Sequence, residues 1–182
     1  MLRILAISGS LRRLSSNTAL VLAAADLAPE GVEVLFYTQL GELPLFNPDV
    51  DGDQPPEVVA QFRRELSASD AVLISSPEYA HGVPGALKNA LDWIVGSGEI
   101  VGKPVALVNA SPRATYAQAS LEETLRVMSA DVIAEASVTV PLSGRHLDAP
   151  GIVADTALSR TITSALVALT QAARPRPLQD PS

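Results

Sequence analysis

Runs of consecutive apolar residues alternate along this chain with segments in which apolar residues recur every three or four positions. The runs predict strands buried on both faces, and the recurring segments predict amphipathic helices. The predicted strands are residues 2–8, 32–37, 71–74, 104–108 and 132–140. The predicted helices cover approximately residues 18–28, 56–66, 84–95, 117–130 and 153–173.

The order of these elements predicts the architecture. Strands that alternate with helices require a parallel sheet covered by helices on both faces, which is a doubly wound α/β fold. We expect five strands in the order 2-1-3-4-5, with ligands bound beyond their carboxyl ends. The candidate loops therefore follow Ser8, Ser75 and Asn109. Residues 1–173 form a single predicted domain, and residues 174–182, rich in Pro and Arg, form a predicted frayed tail.

Composition excludes several classes of function. The 182 residues include no cysteine, so disulfide frameworks and thiolate chemistry are excluded. Twenty acidic residues against 13 basic residues give a formal net charge of -7, which argues against nucleic acid and anionic lipid as partners. The apolar run at residues 2–8 ends at Gly9, too early for a membrane helix or a signal peptide. We therefore expect a cytoplasmic protein.

The loop after the first predicted strand carries hydroxyl, amide and guanidinium groups and leads into a helix N-terminus. It contains one glycine, so it matches neither a dinucleotide-binding turn nor a nucleotide P-loop. Donors converging on a helix N-terminus suit a phosphate monoester. The alternative is that the Ser and Asn residues only cap the helix while Arg12 is a solvated surface charge. The candidate phosphate donors are Ser10, Arg12, Ser15, Ser16, Asn17 and Thr18.

The loop after the third predicted strand carries the more specific pattern. Pro77-Glu78-Tyr79 is followed by Val83-Pro84-Gly85, and then by Leu87-Lys88-Asn89-Ala90 and Asp92-Trp93. Together with Gly9-Ser10-Leu11-Arg12, this segment resembles the NADPH-dependent FMN reductase family. The resemblance covers approximately residues 2–140 and implies a flavodoxin-like fold. It also implies FMN as cofactor, NAD(P)H as co-substrate, and a homodimer or homotetramer.

The resemblance implies a role for each candidate loop. The first loop would hold the FMN phosphate, and the second would support the edge of the flavin ring, where rigid backbone N–H groups face the developing negative charge. Without the pattern around them, Glu78 would be interpreted as a solvated or helix-capping carboxylate and Tyr79 as ordinary packing. The implied flavin-lining residues are Pro77, Glu78, Tyr79, Ala80 and Ser111.

Two loops depart from the family pattern. Ala80 stands where many members have a polar residue, and His81 follows it as a possible donor or a solvated bystander. The third loop keeps Ser111 but has Arg113 and Tyr116 in a stretch that is usually rich in glycine. Arg113 suits either a nucleotide phosphate or the solvent. Tyr116 suits either the exposed flavin face or the first turn of the next helix, against a neighbouring subunit.

We therefore expect an oxidoreductase that passes electrons from NAD(P)H through FMN to a small acceptor: a quinone, a free flavin, an azo dye or a chromate-like oxyanion. We expect no catalytic side chain, because the cofactor supplies the chemistry. The alternative is a flavodoxin-like electron carrier without NAD(P)H activity. A serine hydrolase and a metal enzyme are disfavoured, because the chain lacks a Gly-x-Ser-x-Gly elbow and its two histidines, His81 and His146, have no ligand spacing.

Overall fold

The computed structural model describes residues 1–174. Apart from Arg174, the predicted frayed tail lies outside the described residues. Five parallel strands form one sheet in the order β2-β1-β3-β4-β5, as the sequence predicts. The strands are β1 Leu2–Ser8, β2 Val32–Tyr37, β3 Ala71–Ser75, β4 Pro104–Leu107 and β5 Asp131–Val132.

Within residues 1–174, six α-helices cover the two faces of this sheet. They are α1 Ser16–Asp26, α2 Glu57–Ser67, α3 Gly85–Val95, α4 Thr115–Val127, α5 Ala149–Ala154 and α6 Thr156–Ala173. Three short 3₁₀ helices occupy Leu40–Glu42, Pro48–Val50 and Ala134–Ala136.

The strands divide the core into two apolar clusters because alternate side chains point to opposite faces of a sheet. Leu5 and Ile7 belong to the cluster that contains buried residues of α2, α3 and α4, whereas Ile4 and Ala6 belong to the cluster of α1, α5 and α6. Both faces of β1 are therefore buried, which accounts for its unbroken apolar run.

The predicted fifth strand, residues 132–140, is wrong in its length. β5 ends at Val132, and a single bridge between Asn109 and Thr139 continues the pairing beyond it. Between the two, Ser137 Oγ accepts the Leu107 N–H at 3.1 Å and donates to the Ile133 carbonyl at 2.9 Å. The Ser137 hydroxyl thus accepts the Leu107 N–H, which would donate to a backbone carbonyl if the strand were continuous. The chain instead forms the 3₁₀ turn at Ala134–Ala136.

The predicted last helix, residues 153–173, is two helices. Asp155 separates them with extended backbone angles (φ −79°, ψ 110°). Its Oδ1 accepts hydrogen bonds from the N–H groups of Ala157 and Leu158 at 3.1 and 3.0 Å, so it is the N-cap of α6. The fourth predicted helix also shifts, since α4 covers 115–127 rather than 117–130 and Ser129 beyond it has φ of 61°.

Candidate functional site

A cavity of about 750 Å³ lies beyond the carboxyl ends of β1, β3 and β4. Four chain segments line it: residues 10–22, 76–79, 109–114 and 142–149. The volume is within the range of about 300–1,000 Å³ that is usual for small-molecule and cofactor sites. The sequence predicts the position of this cavity and the first three of these segments.

The structure brings together ten of the eleven predicted cofactor-binding residues. Ala80 is the exception, because it lies in a turn outside the cavity wall. The ten that line the cavity are Ser10, Arg12, Ser15, Ser16, Asn17, Thr18, Pro77, Glu78, Tyr79 and Ser111. Their roles in binding stay predictions.

Several hydroxyl groups of the first segment also hold the protein's own backbone. Ser15 Oγ is the N-cap of α1 and accepts from the N–H groups of Asn17 and Thr18 at 3.2 and 3.4 Å. Thr18 Oγ1 pairs with Ser8 Oγ at 2.9 Å, and Ser10 Oγ accepts the Arg12 N–H at 3.3 Å. The capping interpretation is therefore correct for Ser15, although its hydroxyl proton remains able to donate to a ligand.

Asn17 is held in one orientation by a residue from a distant strand. Ser75 Oγ, at the end of β3, donates to Asn17 Oδ1 at 2.9 Å, and both residues are buried. Within residues 1–174 the Nδ2 group of Asn17 has no acceptor. Because Asn17 lines the cavity, this amide is a donor available to a bound anion.

The second segment continues into a tight turn at Tyr79–Gly82. Tyr79 and Gly82 exchange backbone hydrogen bonds of 3.2 and 2.9 Å. The two central residues, Ala80 and His81, have φ of 50° and 60°, which are the angles of a type I′ turn. The imidazole of His81 stacks on the phenol ring of Tyr116, with centroids 4.2 Å apart and planes 14° from parallel.

Glu78 connects the second segment to α4. Its Oε2 accepts the backbone N–H of Ala117 at 2.8 Å. Ala117 is the third residue of α4, so the interaction satisfies a donor that a helix N-terminus leaves free. The helix-capping interpretation of this carboxylate is therefore correct. Tyr116 lies in the first turn of α4 and is not among the residues that line the cavity.

Side chains shape the third segment in place of glycine. Asn109 Oδ1 accepts the Ser111 N–H at 2.9 Å, and Asn109 Nδ2 donates to the Ala114 carbonyl at 3.2 Å. Ser111 Oγ lies 2.9 Å from Ser143 Oγ in the fourth segment. The third and fourth segments are thus joined at the cavity wall.

Sequence analysis missed the fourth segment. It includes the exposed residues Ser143, His146 and Asp148, and His146 has φ of 50°. Gly144, with φ of 77°, marks a turn between buried Leu142 and α5. A polar segment that contains glycine and precedes a helix is typical of a binding loop, and this pattern could have identified the fourth segment. The strand predicted for residues 132–140 was too long, so the sequence did not indicate that this segment lies at the end of the sheet.

Three arginines and two carboxylates line the cavity, so its lining has a small formal excess of positive charge. Outside the cavity lining, Arg160 and Arg174 form no ion pair among residues 1–174, whereas five other arginines pair with carboxylates: Arg3, Arg63, Arg64, Arg126 and Arg145. Arg12, Arg13 and Arg113 line the cavity and have no such partner among the described residues. The two lining carboxylates, Glu78 and Asp148, accept backbone N–H groups at helix starts. The cavity therefore suits an anionic ligand.

Shifted pKa values occur outside the cavity. Burial raises the pKa of the Tyr37 phenol, with smaller contributions from Glu65 and Glu42. Burial lowers the pKa of Lys103, partly opposed by Asp70. The backbone N–H of Leu158 and the guanidinium of Arg145 lower the pKa of Asp155. These shifts follow from packing and capping rather than from the chemistry of the cavity.

Residues 2–144 match the family model described as NADPH-dependent FMN reductase. The chain belongs to this family. It is 34% identical over 173 residues to an NAD(P)H-dependent FMN reductase of Pseudomonas aeruginosa, covering 92% of this chain and 93% of that one. It is 46% identical over 111 residues to a quinone reductase of Pseudomonas putida, an alignment that spans 58% of each chain.

Solved structures agree with the fold. The flavoenzyme NAD(P)H:(acceptor) oxidoreductase from Paracoccus denitrificans superposes with a TM-score of 0.76 at 28% identity, covering 95% of this chain and 97% of that one. The flavodoxin-like fold expected from the sequence is thereby confirmed. In residues 1–174, no helix combines the length and the apolar character needed to cross a membrane.

Proposed function

We propose that this protein binds FMN in the cavity and passes electrons from NAD(P)H to a small quinone-type acceptor. The observation that carries the proposal is the convergence of ten predicted residues on one cavity, whose three arginines form no ion pair with a carboxylate of residues 1–174. The Pseudomonas relatives are named as an FMN reductase and a quinone reductase. Their names support both the cofactor and the class of acceptor.

The donor set of the first segment fits the phosphate of FMN. Arg12 supplies a formal positive charge and a guanidinium group with several N–H donors. Asn17 is buried, and its Nδ2 group donates to no acceptor within residues 1–174. The N-terminus of α1 adds a favourable dipole. We infer that Arg12 and Asn17 carry most of the phosphate affinity. Ser10, Ser15 and Ser16 would add hydroxyl donors, and Thr18 would act mainly through its bond to Ser8.

The second and third segments would hold the flavin ring. When bound, FMN would supply the chemistry of accepting a hydride from NAD(P)H and returning electrons to an acceptor. Pro77, Glu78 and Tyr79 would form one wall beside the ring, and Ser111 would lie opposite, braced by Ser143. The protein's part is to bind, orient and shield the ring, and no lining side chain needs to move a proton.

The electron-carrier alternative has less support. A carrier receives electrons from a partner protein, whereas the Pseudomonas relatives are named as reductases. Absorbance of the flavin separates the two functions. The purified protein should bind FMN, and excess NADPH under anaerobic conditions should bleach it until a quinone is added. A flavin that binds but is not bleached would favour the carrier, and failure to bind FMN would overturn both.

We propose that the protein acts in the cytoplasm, where NAD(P)H is available. We also propose that it forms a homodimer or homotetramer. Val95, Val101 and Val127 support self-association, because their side chains are 61–75% exposed around a groove formed with residues of α3 and α4. Apolar residues grouped in this way favour a protein contact. Light scattering during size-exclusion chromatography tests the oligomer, and Val127→Asp should shift it towards the monomer.

A further inference from the structure

The turn after β3 contacts the first turn of α4 at two separate points. Glu78 Oε2 accepts the Ala117 N–H at 2.8 Å, and the His81 ring stacks on the Tyr116 ring at 4.2 Å. Residues 78–82 and 115–117 are far apart in sequence, so these two contacts fix how the second and third loops sit together. We refer to the pair of contacts as the loop clamp.

The first contact supplies a cap that α4 lacks locally. Ala114, at the N-cap position, has no side-chain acceptor, and the first turn of α4 contains no acidic residue. Glu78 provides both an acceptor and a negative charge at this end of the helix, where the dipole favours them. One oxygen of its carboxylate, Oε2, is therefore engaged by the protein, although Glu78 also lines the cavity.

The second contact restrains a turn that its own residues do not favour. Ala80 and His81 both have positive φ, a region that type I′ turns usually fill with Asn and Gly. Side chains with a Cβ hold such angles only where the surroundings enforce them. The stacking of the His81 ring on the Tyr116 ring restrains this turn. The two backbone hydrogen bonds between Tyr79 and Gly82 restrain it as well.

We propose that Glu78 and Tyr116 are positioning residues, which act through the loop clamp to hold Pro77–Tyr79 at the cavity wall that supports the flavin ring. This inference rests on the proposed function. It assigns to Glu78 a role in fixing the loop in addition to its place in the cavity wall. It also gives Tyr116 a part in flavin binding, although Tyr116 lies outside the cavity lining. The loop clamp acts on the ring and not on the phosphate.

Titration with FMN and with riboflavin, which lacks the phosphate, tests the proposal. Glu78→Ala and Tyr116→Ala should each weaken both ligands to a similar degree, by about tenfold, as expected for loss of one such contact. Glu78→Gln keeps an acceptor for the Ala117 N–H and Tyr116→Phe keeps the ring, so both should stay within about threefold of wild type. If the Ala variants weaken FMN alone, or neither ligand, the proposal is wrong.

Controls separate positioning from general loss of stability. Leu66 is a buried residue of α2 that does not line the site, and Leu66→Ala leaves a cavity in the core. This variant should lower the free energy of unfolding without changing the affinity for FMN or for riboflavin under native conditions. Arg126→Ala breaks exposed ion pairs on α4 itself and should also leave both affinities unchanged. Weakening by Leu66→Ala equal to that of Glu78→Ala would attribute the effect to stability and overturn the proposal.

Hydrogen exchange of the ligand-free protein tests the loop clamp without any flavin. The Ala117 amide should exchange several-fold faster in Glu78→Ala than in wild type, because its acceptor is gone, and should stay slow in Glu78→Gln and Arg126→Ala. Unchanged exchange in Glu78→Ala would overturn the first contact. A protein that exchanges as expected but binds neither flavin would disprove the proposed function, while the loop clamp itself would stand as structural.

Discussion

Ser75 Oγ donates a hydrogen bond to Asn17 Oδ1 at 2.9 Å, joining the end of β3 to the first turn of α1. The bond uses the acceptor of the Asn17 amide and leaves its Nδ2 donor towards the cavity. A residue that a helix-capping pattern singles out is thereby oriented by a strand 58 positions away. Its usefulness to an anion depends on that orientation.

Asn17→Asp should weaken FMN binding by about 10- to 100-fold, because a carboxylate replaces the donor amide and repels the phosphate. Riboflavin has no phosphate and should bind the variant and wild type alike. Fluorescence titration of both flavins measures the two affinities. Ser75→Ala frees the amide to turn and should weaken FMN less than Asn17→Asp does. Equal loss for both flavins would show that Asn17 supports the loop rather than the phosphate.

Arg12→Ala should weaken FMN binding by about 1.5–3 kcal/mol, the range for a hydrogen bond to a charged group. Fluorescence titration with FMN and with riboflavin measures this effect, and the affinity for riboflavin should be unchanged. Arg64→Ala is the matched control, because Arg64 is an exposed arginine paired with Glu57 on α2. If Arg12→Ala and Arg64→Ala behave alike, Arg12 is a solvated surface charge.

His81→Ala should leave the rate of flavin reduction by NADPH within roughly tenfold of wild type when FMN is saturating. The imidazole stacks on Tyr116 and does not line the cavity, so it has no place in proton transfer. Anaerobic stopped-flow absorbance measures the rate directly. A fall of about 10²–10⁴ would instead identify an acid or base in the reaction.

Asp155→Asn should reduce the loss of stability on acidification. Folding lowers the pKa of Asp155 below its usual 3.8 through the Leu158 N–H and Arg145, so its stabilisation is complete above that value. It is lost as pH falls through the lower folded-state pKa. Urea unfolding at about pH 6 and about pH 3 should show a smaller difference for Asp155→Asn than for wild type. Asp53→Asn, at an exposed loop position, should leave the difference unchanged.

The sequence predicts most of the sheet because buried parallel strands leave unbroken apolar runs. It fails at β5, where Ser137 takes a backbone donor of Leu107, since the apolar residues around it still resemble a strand. It also fails at Asp155, because Leu158 and Ile162, which predict the helix, both follow Asp155, and the apolar pattern does not mark where α6 begins. Both errors arise where one polar side chain overrides an apolar pattern.

The sequence predicts those parts of the site that local motifs encode, and it misses the contacts between residues that are distant in the chain. The first and second loops carry local motifs, and their predicted residues line the cavity with the exception of Ala80. The partner of Glu78 is 39 residues away at Ala117, and no local spacing connects the two. Arg12, Arg13 and Arg113 are separated by up to 101 positions in the sequence, and only the folded chain brings them to one cavity.

No residue that lines the cavity belongs to a strand; all lie in loops or in the first turns and exposed faces of α1 and α5. Some of these residues nevertheless belong to the framework, because Ala110, Leu142 and Ala149 are buried in the core cluster of α1, α5 and α6, and Asn109 bridges Thr139. Arg113, Ser143 and His146 also line the cavity but are exposed, so substitutions there can reshape its wall without removing core contacts. Directed evolution of this chain should accordingly begin with libraries at those exposed positions and keep Asn109, Ala110, Leu142 and Ala149 fixed.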